Sequence, residues 1–100
     1  MDKYDELREK ILPVLRPYVR RVFVFGSFVR GEDSPESDID ILVTLKPSNE
    51  RPPLGLNWFG LEMDLELILA REVDLVTEDS LSPYIRPYVD KEKVVLYEER

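Results

Sequence analysis

Residues 22–43 constrain this chain more than any others. An apolar run, Val22-Phe23-Val24-Phe25, ends in Gly26-Ser27. Phe28-Val29-Arg30-Gly31 and a short polar loop follow, and a second apolar run opens with Asp38 and Asp40 at i, i+2. The first run is β-branched and aromatic and apolar on both faces. That pattern predicts a central strand over Arg21 to Phe25, covered on both sides. Phe28 to Arg30 is predicted as one helical turn whose free N–H groups face the strand end. Gly31 to Ser37 is rich in turn residues. Asp38 to Leu45 is the second predicted strand. Alternation puts Asp38, Asp40, Leu42 and Thr44 on one face and Ile39, Ile41, Val43 and Leu45 on the other.

The flanking segments read as support. Leu7, Ile11, Val14 and Leu15 share one face of a helix from Asp2 to about Leu15. Asp2 is its candidate cap, and Pro13 should kink it or end it early. Lys46 to Asn57 is a long loop with three prolines, and no role is assigned to it. Trp58 to Ala70 returns to helical period, with Asn57 as N-cap, Trp58, Leu61, Leu65, Ile68 and Leu69 on a stripe, and Glu62 and Glu66 pointing outward. Arg71 to Thr77 contains a third strand, Val73-Asp74-Leu75-Val76. Ser80 to Val89 reads as a short helix or turn broken by Pro83 and Pro87. Lys93 to Glu98 is the final strand. The expected fold is α+β, close to α/β: a small mixed sheet of three to four strands with helices mainly on one face.

Composition narrows the chemistry. One hundred residues suit a single domain, 1–100. Cysteine and histidine are both absent, so thiol catalysis, zinc–cysteine sites and the usual general base are excluded. A metal here must sit on carboxylates, which favours magnesium, manganese or calcium. The formal net charge of −7 argues against an extensive nucleic-acid surface. The charged N-terminus has no signal-peptide core, and no apolar run is long enough to span a bilayer. A cytoplasmic protein is expected.

Asp38 and Asp40 leave one strand in the same direction, about 7 Å apart at the backbone. Two carboxylates so placed repel each other unless a cation lies between or beside them. Gly26 lets the backbone approach a ligand, Ser27 adds a hydroxyl, and Arg30 is a candidate phosphate partner. Asp74 interrupts an apolar run and must face solvent or a partner. If the third strand lies beside the second, Asp74 faces the same cleft. Glu72 is the competitor, but strand parity should turn it the other way. Three acids without histidine suit metal-assisted displacement at phosphorus.

Gly-Ser-Phe-Val-Arg-Gly, six residues, Asp-Ile-Asp and a later Asp in a strand resemble the nucleotidyltransferase superfamily of the DNA polymerase β type. The chain resembles its smallest branch, the minimal nucleotidyltransferases. These are the MntA-like protein adenylyltransferases, antitoxins of HEPN–MNT pairs. The resemblance implies that Gly26 and Ser27 grip a nucleoside triphosphate, with Arg30 in the extended motif. It implies that Asp38, Asp40 and Asp74 are the catalytic acids and bind magnesium. It implies ATP as donor, with AMP passing to a tyrosine hydroxyl of a HEPN-domain toxin. A non-catalytic antitoxin that silences a HEPN ribonuclease by occlusion is the alternative.

Overall fold

The computed structural model describes residues 2–32 and 34–99. Helix α1 is Lys3–Leu15, strand β1 Val19–Phe25, helix α2 Ser27–Arg30 and strand β2 Ile39–Leu45. Helix α3 is Asn57–Leu69, strand β3 Val73–Thr77, helix α4 Arg86–Glu92 and strand β4 Val94–Glu98. The four strands form one mixed sheet in the order β3-β2-β1-β4. β1 runs antiparallel to both β2 and β4, whereas β2 and β3 are parallel. Parallel neighbours need a long crossover, and α3 supplies it.

The two runs flanking Gly26 thus become the two central strands. Val22 and Val24 of β1 join Ile39, Ile41 and Val43 of β2 in the larger core, against Leu7, Ile11 and Leu15 of α1 and Leu61 and Leu65 of α3. The opposite face is thinner. Phe23 and Leu42 pack there against Leu81 and Val89, the latter on α4. Helices therefore lie mainly on one face, with the short α4 on the other.

Some local expectations fail for physical reasons. Helix α1 runs through Pro13 to Leu15. Pro13 lies on the exposed face, so the carbonyl it deprives of a partner can reach water, while Leu7, Ile11 and Leu15 anchor the buried face. Asn57 is the first residue of α3, not its cap; Leu56 holds that position without a side-chain hydrogen bond. Ile68 is exposed, leaving Leu61 and Leu65 as the buried part of the stripe. Pro87 starts α4 instead of breaking it, because the first turn does not need its missing N–H.

Glu62 and Glu66 do not point away. Their carboxylates accept the Leu75 and Val73 amides of β3 at 3.2 and 3.1 Å. β3 is an edge strand, and alternate N–H groups on its free side face outward. Helix α3 covers them with acids, a device that blunts the edge against pairing with another chain. Asp2 caps α1 by accepting the Tyr4 and Asp5 amides.

Candidate active site

Three elements meet at the C-terminal end of β1. Phe25 is the residue opposite Asp40, and the chain leaves the strand at Gly26 with φ 79° and ψ −153°. Only glycine adopts that conformation readily. A Cβ at Gly26 would lie 2.1 Å from Asp40 Oδ2, so the glycine also makes room for the carboxylate. Ser27 then begins α2. Phe28 is buried and meets the Tyr4 ring edge-on at 5.8 Å. Lys3 donates to the Phe28 carbonyl, which ties α2 to α1.

The parallel register of β2 and β3 sets Asp40 opposite Asp74. Strand alternation gives both the face of Phe23 and Leu42, where α4 packs. Asp40 is half-buried, and Asp38 and Asp74 are exposed. Burial, then the charges of Asp74 and Asp38, push the Asp40 carboxyl up to about 6 from the ordinary 3.8. The sequence thus anticipated the neighbourhood of Asp40, Asp74 and Gly26.

The expectation fails at Glu72: it stands two positions before Asp74, so strand parity gives both the same face, and the register that sets Ile39 opposite Val73 brings Glu72 beside Asp38. Its carboxyl is hydrogen-bonded to Asp38, which holds it above the usual carboxylate range. Its carbonyl accepts the Ile39 amide at 3.0 Å. Arg30 also differs from expectation. Its Nη1 donates to both carboxylate oxygens of Glu92 at 3.1 and 3.0 Å, and its Nε donates to Glu32 at 3.1 Å. Glu92 Oε1 accepts the Gly26 amide at 2.8 Å. The Arg30 guanidinium is thus committed to carboxylates, Glu92 first, and its pKa is raised by them.

An oxygen-only set of carboxylates suits a hard divalent cation such as magnesium. The repulsion that raises Asp40 is what such an ion would relieve. Among the described residues, no three acidic side chains already converge into a cage. Asp40 and Asp74 form the paired core of the candidate site, with Asp38 at its rim.

A small sheet with a Gly-Ser loop over paired strand aspartates defines a class of protein, and the sequence agrees. The nucleotidyltransferase domain family matches residues 5–96, and the chain belongs to that family. Within it, the chain is similar to a curated relative from Thermococcus cleftensis, protein adenylyltransferase MntA. The two are 43% identical over 89 residues, covering 89% of this chain and 80% of the relative. Two solved structures share the fold. A toxin–antitoxin with AMP-PNP superposes with a TM-score of 0.72 at 27% identity, over 93% of this chain and 74% of the other. The tri-AMPylated Shewanella oneidensis HEPN toxin in complex with MNT antitoxin gives a TM-score of 0.69 at 26% identity, over 95% and 72%.

Proposed function

We propose that this protein transfers AMP from ATP to a tyrosine hydroxyl of a partner HEPN toxin and acts as its antitoxin in the cytoplasm. The observation that carries the reading is the register of Asp40 with Asp74, beside a glycine that leaves room for the Asp40 carboxylate. The relatives supply the reaction class: one is named a protein adenylyltransferase, and one solved complex holds an AMPylated toxin. The complex with AMP-PNP supports an adenine nucleotide as donor.

In the reaction, the tyrosine oxygen forms a bond to the α-phosphorus of ATP. The α–β phosphoanhydride breaks and pyrophosphate leaves. Asp38, Asp40 and Asp74 would hold magnesium, which neutralises the triphosphate and stabilises the charge that develops on the leaving oxygens. Gly26 and Ser27 bring backbone and hydroxyl close to the phosphates. Asp74, exposed at the edge of the cleft, can take the tyrosine proton as the bond forms. Exposed apolar residues along α3, namely Phe59, Met63 and Leu67, give the molecule surface that a protein partner could cover.

The test uses ATP labelled at the α-phosphate, magnesium and the co-encoded partner. Label is expected on the partner with the wild type and on nothing with Asp40→Asn. Equal labelling by both would remove Asp40 from the reaction. Silencing of the partner without nucleotide would favour occlusion.

A further inference from the structure

The Gly26–Ser27 loop is held from outside by a residue that no motif in the sequence singles out. Glu92 is the last residue of α4. One of its oxygens takes the Gly26 amide, and both take Arg30. Helix α2 has four residues, too few to hold its own geometry. Its internal bonds run from the Val29 and Arg30 amides back to the Gly26 carbonyl. They leave the Gly26 amide to Glu92.

Glu92 is itself held in place. Val89, one turn earlier, is buried against Phe23 and Leu42. Lys93 lies over the Phe23 ring at 4.4 Å and pairs with Asp90 at 3.0 Å. The C-terminal end of α4 is thereby fixed on the sheet face that carries Asp40. An acid at this point has an electrostatic cost, since its charge adds to the repulsion on Asp40. Arg30 offsets that charge. The guanidinium is therefore spent on Glu92, and a triphosphate would have to take it away.

We propose that Glu92 is a positioning residue: with Arg30 as its counter-ion, it fixes the Gly26–Ser27 loop over Asp40, and Arg30 serves the loop and not the phosphates. This rests on the nucleotide-binding reading above. It assigns Arg30 the opposite duty to that of a phosphate ligand, and the two duties predict opposite signs. If Arg30 were a phosphate ligand masked by Glu92, removing Glu92 would free it and tighten nucleotide binding. If Glu92 positions the loop, removing it loosens the loop and weakens binding.

The experiment is a cycle of Glu92→Ala, Arg30→Met and the double variant, with Glu92→Gln as the conservative case. The pair is partly exposed, with 47% of the Arg30 and 26% of the Glu92 side-chain surface open to solvent. The variants should therefore fold, which circular dichroism checks. With magnesium and ATP, Glu92→Ala should raise Kd about tenfold and lower kcat/KM by about 10- to 100-fold, as small misplacements at reacting centres do. Arg30→Met should do the same, and the double variant should be no worse than either. Glu92→Gln keeps an acceptor for the Gly26 amide and should fall between Glu92→Ala and wild type. Tighter ATP binding by Glu92→Ala, or additive losses in the double variant, would overturn the proposal.

A second readout needs no nucleotide. Hydrogen exchange at the Gly26 amide should speed up about tenfold in Glu92→Ala, while amides of the β1–β2 ladder keep their protection. Unchanged exchange at Gly26 would refute the positioning role even if the protein bound no ATP. Faster exchange in a protein that binds no nucleotide would sustain the tether and reject the nucleotide reading alone.

Discussion

Replacing Asp40 by asparagine should stabilise the folded protein at neutral pH while removing the central carboxylate of the site. In the folded chain the Asp40 carboxyl titrates near 6, against an ordinary 3.8. A raised carboxyl pKa means that the native state holds more protons than the unfolded chain between those values. Stability therefore falls as pH rises through that window and stays reduced above it. The full shift corresponds to about 3 kcal/mol. Asp40 is only half-buried, so water screens part of the repulsion, and about 1–2 kcal/mol is the expected penalty at pH 8. Asparagine keeps the shape and drops the charge. For a domain of this size the gain should appear as a Tm about 5–10 °C higher. The assay is thermal unfolding of wild type and Asp40→Asn at pH 4, 6 and 8, in the presence of a chelator. The difference should be absent at pH 4 and largest at pH 8. A variant less stable than wild type at pH 8, or a difference that ignores pH, would refute the charge argument. Asp38→Asn and Asp74→Asn should give smaller gains, since both side chains are exposed.

Three further substitutions test other joints of the structure. Gly26→Ala should cost about 1–3 kcal/mol from its left-handed backbone, and its Cβ should also drive the Asp40 carboxylate aside. AMP transfer should then be lost, and a Gly26→Ala protein with wild-type Tm and wild-type transfer would contradict the packing described. Glu62→Ala and Glu66→Ala should each cost about 1 kcal/mol by stripping an acceptor from β3. Together they should uncover the sheet edge, seen as self-association by light scattering; a pair that stays monomeric and keeps its urea midpoint would deny α3 that duty.

The legible part of the molecule lies where chemistry repeats with a short period. The alternation of Asp38 to Leu45, the apolar run before Gly26 and the acid inside Val73-Asp74-Leu75-Val76 each describe a strand and the side on which its acids fall. Pairing β2 with β3 then brings Asp40 and Asp74 together. The illegible part depends on contacts between elements distant in sequence. Glu92 meets Gly26 across 66 positions, and no local pattern marks it. Glu62 and Glu66 sit at polar positions of a helix and read as solvated until the neighbouring strand is known to be an edge. Pro13 and Pro87 carry the same local penalty on paper. One is tolerated on an exposed helix face and the other sits where a helix begins. Glu72 was legible by parity: two positions before Asp74, it falls on the face of the acids and beside Asp38.

The paired aspartates are proposed to move AMP onto a partner protein. The most direct measurement is intact-mass analysis of the HEPN partner after incubation with this protein, ATP and magnesium, followed by mapping of the modified residue. One or more AMP additions on tyrosine are expected. None is expected with Asp40→Asn, with Asp74→Asn or when magnesium is chelated. A partner of unchanged mass that is nonetheless silenced, equally well with and without ATP, would contradict AMP transfer.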